Sequence, residues 1–348
     1  MRIESIKIKG FRNLRSAVTL DELADINVLH GENNGGKSNV IDAIELAFSL
    51  LGDLAMHQWP DRQFEKLLGL RPSDVFPIEQ LDGSAEIVMR VALDGAEGAH
   101  IADTTGTLAL RSGGSVELEL LLARSNATWR WASTVKPSYG RATDAVVART
   151  IKRGAPPYAN EESTAFLAMP RLRGAYGGQQ GREVVPAWVL EALIDSHDAR
   201  DAKKHRLWQR FNDVVVAGLR DVIGEGQVVP RYDPRTEKVL LEHHTTSGPI
   251  VCERLGGGVQ RVIAMAGSLL ASSAQVVAIE EPEADLHHGM QLRLRDIFRR
   301  IIADELGPKQ LLLVSHSPVF VATMHGYQFR PTAQGPKVER SAAAKVSV

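Results

Sequence analysis

Eight residues have the spacing of an anion cradle. Gly31-Glu32-Asn33-Asn34-Gly35-Gly36-Lys37-Ser38 satisfies the pattern G-x-x-x-x-G-K-[ST] in full. Glycines let the backbone wrap an oxyanion closely, its N–H groups point inward, and the start of a helix adds positive potential. Lys37 is then placed for the β- and γ-phosphates of a nucleotide and the Ser38 hydroxyl for Mg²⁺. Asn33, Asn34, Gly35, Gly36 and Asn39 complete this candidate binding set, with ATP and Mg²⁺ as the expected ligands.

Two further stretches carry chemistry. Val276-Val277-Ala278-Ile279-Glu280-Glu281-Pro282-Glu283 is an apolar run closed by adjacent carboxylates. At the carboxyl end of a buried parallel strand one acid emerges beside Mg²⁺, while its neighbour points away and can orient the attacking water. Glu280 is therefore assigned to the metal and Glu281 to catalysis. Leu311-Leu312-Leu313-Val314-Ser315-His316-Ser317 is a second apolar run, ending at a histidine. A lone histidine is more often structural; His316 is singled out as catalytic because the two other motifs accompany it. There it can hydrogen-bond the γ-phosphate and sense its loss.

The elements that must position these residues are legible in outline. Ile3, Ile6 and Ile8 alternate with Arg2, Lys7 and Lys9, which predicts a half-buried strand ending at Gly10. Ile26–Leu29 reads as a strand leading into the glycine-rich turn, and Val40, Ile41, Ile44, Ala47 and Leu50 recur at helical spacing beyond it. From Gly83 to about Ser133 the runs Ala85–Leu93, Thr107–Leu110 and Val116–Ala123, separated by Gly and Ser, predict an antiparallel meander. Trp129 and Trp131 share one strand face and read as packing residues. Residues 136–164 read as loop, and Pro186 to about Ile223 as charged helix. Strands at Val276–Ile279 and Leu311–Val314 flank a helix at Gln291–Ala303, the pattern of a parallel α/β sheet.

Composition bounds the partners. Forty-one Lys and Arg against 42 Asp and Glu leave a net charge of −1, so bulk charge does not hold this chain to nucleic acid, and any such contact needs a local patch. On the helix spanning Arg200–Arg210, Lys203, Arg206 and Arg210 share a face that suits a phosphate backbone, an acidic partner or plain solvation. The single cysteine, Cys252, forms no internal disulfide, which fits a reduced intracellular protein. The uncharged stretch Val262–Ile279 contains several polar residues and reads as helix running into strand, so no membrane span and a cytoplasmic location are expected. His243-His244 and His287-His288 lack the spacing of metal ligands.

In this order the motifs resemble the ABC-type ATPase heads of the RecF, SMC and OLD (overcoming-lysogenization-defect) group. Ile8-Lys9-Gly10-Phe11-Arg12-Asn13-Leu14 resembles their opening strand, whose Phe-Arg pair approaches adenine, so the resemblance implies a nucleotide contact for Arg12. Glu280 to His287 resembles the OLD-type acidic motif running into a D-loop, which brings in Asp285. Ser315-His316-Ser317-Pro318 resembles the switch-histidine segment. Leu255-Gly256-Gly257-Gly258-Val259-Gln260 stands where these proteins place a signature loop for the partner subunit's γ-phosphate. It lacks the usual hydroxyl, but the backbone of Gly256, Gly257 and Gly258, with Gln260 and a helix N-terminus, can still meet an anion. Gln179 and Gln180 are the candidates for a Q-loop.

The resemblance implies an α/β fold, an ABC-type P-loop ATPase head with a mixed or parallel core sheet, an antiparallel β lobe and a helical insertion. Three segments follow: an N-terminal ATPase lobe (1–135), a linker and helical insertion (136–250) and a C-terminal ATPase lobe (251–348). Residues 39–254 separate Ser38 from Leu255, more than transporter subunits place there and less than long-armed SMC proteins insert. Residues 317–348 are too few for a Toprim nuclease domain, which needs on the order of a hundred residues. The resulting expectation is an ATPase that dimerises, or assembles further, through ATP-bridged heads and gates a separate effector, a nuclease or other toxin. The setting is prokaryotic anti-phage defence or DNA maintenance, with DNA as another candidate partner. The alternatives are a RecF-like junction-binding repair ATPase and a weakly hydrolysing nucleotide-gated scaffold.

Overall fold

The computed structural model describes residues 1–51, 54–76, 81–154, 165–169, 185–305 and 307–341, with backbone only at 202–204. Strands β1 (Arg2–Lys9), β2 (Val18–Leu20) and β3 (Ile26–Gly31) open the chain and lead into the helix Lys37–Leu50. Strands β4 (His57–Pro60), β5 (Gly83–Leu93), β6 (Gly114–Ser125) and β7 (Thr128–Lys136) follow, then β8 (Phe166–Met169). After a helical stretch come β9 (Gln227–Asp233), β10 (Lys238–Thr245) and β11 (Gly248–Val251). The chain closes through β12 (Val276–Glu280), β13 (Gln310–Val314), β14 (His325–Arg330) and β15 (Lys337–Ser341).

These strands form three sheets. The first, ordered β2-β1-β5-β6-β7-β4, is antiparallel throughout, and the third, β11-β10-β9, is a small antiparallel sheet. The second is mixed, ordered β15-β14-β3-β13-β12-β8, with every pair parallel except the β14–β15 edge. Residues of all three sequence segments meet in that sheet, because β3 lies between β13 and β14 while β8 pairs with β12.

Strand parity explains why the central strands are apolar at every position. Val276, Ala278, Leu312 and Val314 pack into one core with the helix Lys37–Leu50 and the inner face of the antiparallel sheet. Val277, Ile279, Leu311 and Leu313 pack into a second core with the helices Gly257–Ala271 and His288–Ala303. A parallel sheet buried on both faces needs such runs. The helix Lys37–Leu50 is thus clamped between two sheets, which fixes the loop at its N-terminus.

The sequence expectations need correction in three places. Thr107–Leu110 is not a strand: Gly95–Thr105 is a helix capped by Asp94, whose carboxylate accepts from the amides of Ala96 and Glu97, and a single 3₁₀ turn follows at Leu108–Leu110. Residues 141–153, read as loop, form a helix that buries Val147, Ala148 and Ile151; its short apolar stripe gave little periodic signal. The small sheet β9–β11 was not expected. The helical stretch holds, broken into Ala187–His197 and a run from Ala202 to Ile223 that includes a π-helical turn at Phe211–Val216. Trp129 and Trp131 are buried, Trp129 stacking on Phe64 at 4.1 Å between ring centres.

Candidate functional site

The turn between β3 and the helix Lys37–Leu50 is built by its glycines. Gly36 adopts φ 89° as the residue preceding the helix, a conformation that favours glycine. At Gly31, with φ 125°, a Cβ atom would stand 2.1 Å from the Phe329 backbone oxygen of β14, so no side chain fits. Lys37 is buried, and its ammonium donates to the carbonyls of Gly31 (3.0 Å) and Glu32 (2.6 Å), folding the loop around itself.

A cavity of about 980 Å³ opens over this loop. Asn33, Asn34, Gly35, Gly36, Lys37, Ser38 and Asn39 line it together with Arg12, Glu281 and His316. Residues far apart in sequence therefore converge on one space. Sequence reasoning missed Asn13, Arg15, Ser73 and Phe76, which line the same cavity. Asn13 is a brace: its amide nitrogen donates to the Asn34 carbonyl (2.8 Å) and its amide oxygen accepts from Asn39 (2.6 Å). Arg12, at φ 49°, donates to the Asp74 carbonyl (2.6 Å) and Asn39 (3.1 Å) and pairs with Asp42. Phe11 is 1% exposed in the core, so of the Phe-Arg pair only Arg12 faces the cavity.

Glu281 sits just past β12, where its amide still bonds the Val314 carbonyl (2.8 Å) before the chain turns at φ 47°. Glu280 continues the parity of Val276 and Ala278 toward the core of the helix Lys37–Leu50, and is not among the cavity-lining residues. His316 is exposed into the cavity from the end of β13. His30, one residue before the loop, is held below its usual imidazole value, by burial first and then by the charges of Lys37 and His316. The Ser38 hydroxyl and the Glu281 carboxylate in the cavity lining are hard oxygen donors of the kind that suits Mg²⁺, whereas Glu280, the carboxylate expected to hold the metal, stands outside that lining.

Gly256, Gly257, Gly258, Gln260 and Asp285 lie outside this cavity. Gly256 precedes the helix Gly257–Ala271, and the Gln260 amide donates to the carbonyls of Glu253 (2.8 Å) and Leu255 (2.6 Å), shaping the turn. Gly256 and Gly257 are exposed, and a Cβ at either would meet nothing within 4 Å. Buried Arg261 links this helix to the acidic turn, donating to the Glu281 carbonyl (3.3 Å) and lying 3.7 Å from the exposed Asp285 carboxylate. Gln179 and Gln180 lie outside the described residues, as does the Lys203 side chain. Arg210 is committed to an ion pair with Asp304 at 2.6 Å, which removes it from the expected cationic face.

A family model described as "AAA domain, putative AbiEii toxin, Type IV TA system" matches residues 117–322, and one described as "AAA ATPase domain" matches residues 1–98. The chain belongs to the first of these, an AAA-domain family. No curated protein matches the sequence. Among solved structures, an SMC head bound to the C-winged helix domain of ScpA superposes with a TM-score of 0.61, at 14% identity over 99% of each chain. The SMC head domain from Thermotoga maritima gives 0.56 at 12% identity, covering 98% of this chain and 100% of the other. An SMC head with an extended coiled coil, bound to the C-terminal domain of ScpA derived from Pyrococcus furiosus, gives 0.58 at 12% identity, covering 98% and 96%. At such identities the likeness is one of fold: this AAA-family ATPase has the α/β architecture of an SMC-type ABC head. Among its described residues no helix is long and apolar enough to cross a membrane.

Proposed function

We propose that this ATPase, an OLD-like member of the RecF/SMC group, hydrolyses ATP in a site completed by a second copy of itself. The observation that carries this reading is the contrast between a cavity lined by Lys37, Ser38, Glu281 and His316 and a glycine turn outside it whose Gly256 and Gly257 are exposed. Three successive glycines cost conformational entropy, and at Gly256 and Gly257 the chain's own packing does not require them. A close approach from outside does. A nucleotide held by the phosphate loop of one copy would present its γ-phosphate to the Gly256–Gly258 turn and helix N-terminus of the other.

Within that site Lys37 would neutralise the β- and γ-phosphates, and Glu281 would orient the attacking water and take its proton. His316 would donate to the γ-phosphate. Ser38, with Glu280 at the end of β12 one residue before the cavity-lining Glu281, would hold Mg²⁺, which would supply positive charge to offset that of the phosphates. Loss of the γ-phosphate removes the contact that favours the closed pair, so hydrolysis becomes a switch for a separate effector in the cytoplasm. The toxin–antitoxin wording of the matched family favours a defence role over DNA repair, as does the engagement of Arg210 with Asp304.

Glu281→Gln tests the reading. It should lower phosphate release by about 100-fold while keeping ATP bound and the protein sedimenting as an ATP-dependent dimer. Equal rates for the two proteins would leave the second reading, a nucleotide-gated scaffold, which the hydroxyl-free Leu255–Gly258 turn favours.

A further inference from the structure

The acidic turn carries a third carboxylate with a different task. Glu283 does not line the nucleotide cavity. One of its oxygens accepts from the buried Ser315 hydroxyl at 2.8 Å and the other from the His316 backbone amide at 2.7 Å. The segment so held lies just past the end of β13 at Val314, where regular strand pairing stops. Its far side is pinned as well. The Ser317 hydroxyl donates to Gln291 (2.6 Å), and the Gln291 amide donates to the Leu286 carbonyl at the end of the acidic turn (2.7 Å).

The turn that presents Glu283 is stiff. Hydrogen bonds run from Ala284 N to Glu281 O (3.0 Å) and from Leu286 N to Glu283 O (3.0 Å), and Glu281 and Asp285 both adopt positive φ. Within five residues it therefore holds Glu281 at the cavity, Glu283 on the histidine segment and Asp285 on the exposed surface. We infer that Glu283 is the positioning residue for His316, coupling the acidic turn to the histidine so that Glu281 and His316 take up their working geometry together. Bonds to an ionised acceptor are the strong ones, and a carboxylate with both oxygens engaged fixes direction as well as distance. Displacement of Asp285 by an arriving partner copy would reach the His316 amide most directly through this side chain, which bonds it. The kinetic part of the inference rests on the ATPase reading above; the spectroscopic part does not.

The experiment compares wild type with Glu283→Gln in the full chain. In ¹⁵N-histidine-labelled protein without nucleotide, the wild-type His316 amide should resonate downfield and exchange slowly. In Glu283→Gln it should move upfield and exchange about tenfold faster. In turnover, kcat should fall by about tenfold with KM for ATP within about twofold, and in a His316→Ala background the same change should cost under about twofold more. Ser315→Ala, which removes one of the two bonds and leaves the carboxylate, should shift the same resonance by less and guards against misfolding of the first variant. An unmoved His316 amide overturns the inference, as does a fully multiplicative loss in the double variant. Absence of turnover in wild type would instead defeat the ATPase reading, and the amide signal would still decide the role of Glu283.

Discussion

Two glycine-rich turns, each opening a helix, sit in this molecule for opposite reasons. In the phosphate loop, Gly31 and Gly36 have positive φ, and a Cβ at Gly31 would run into the backbone of β14. In the Gly256–Gly258 turn, Gly256 has an ordinary φ of −59°, and neither Gly256 nor Gly257 has a neighbour that a Cβ would strike. The first set of glycines is demanded by the fold. The packing of one copy does not require Gly256 or Gly257, and the proposed function gives them to a second copy.

Substitutions can break the comparison directly. The largest effect should come from Gly31→Ala, which forces the loop away from β14: stability should fall by about 3 kcal/mol and the melting temperature by roughly 5–10 °C. A melting temperature within a degree of wild type would show that the loop tolerates a side chain. Gly257→Val should do the reverse. Its melting curve should overlay the wild-type curve, while ATP-dependent dimerisation followed by sedimentation weakens by about tenfold, the effect of an overpacked contact. Unchanged dimerisation would remove the support for an incoming partner at this turn.

A smaller effect sharpens the contrast through pH. His30 beside the phosphate loop, His243 and His325 are all held below 6.5, burial being the first cause in each. The second causes are Lys37, His244 and Arg340 respectively. The unfolded chain takes up protons near 6.5 where the folded chain resists them, so stability should decline as pH falls from 7.5 to 6.0. His30→Gln should flatten that decline, and Gly257→Val should leave it alone. A urea midpoint that rises on acidification would contradict the sign. The smallest effect concerns Cys252, whose thiol burial pushes up to about 12. It should resist alkylation at neutral pH until the protein unfolds, and fast labelling of the native protein would show that this part of the second core opens.

Local patterns were legible and distant convergences were not. The phosphate loop could be read because its chemistry lies in consecutive residues, and the strands β12 and β13 because sheets buried on both faces leave unbroken apolar runs. The helix Arg141–Arg153 was missed because Val147, Ala148 and Ile151 make a short stripe flanked by polar residues. Arg15 and Phe76 gave no motif, and Asn13 and Glu283 lay inside motifs that assigned them no role, because their partners Asn34, Asn39 and the His316 amide are distant in sequence.

The amino-acid order by itself determined the phosphate loop, the paired acids after a buried strand and the histidine closing another, since each depends on neighbours along the chain. Tertiary structure alone decided that β3 lies between β13 and β14, and that Glu281 and His316 face one cavity while the Gly256–Gly258 turn lies outside it. It also gave Glu283 to the His316 amide. Sheet order and cavity lining are set by burying two cores at once, a condition on the whole chain that no single stretch contains.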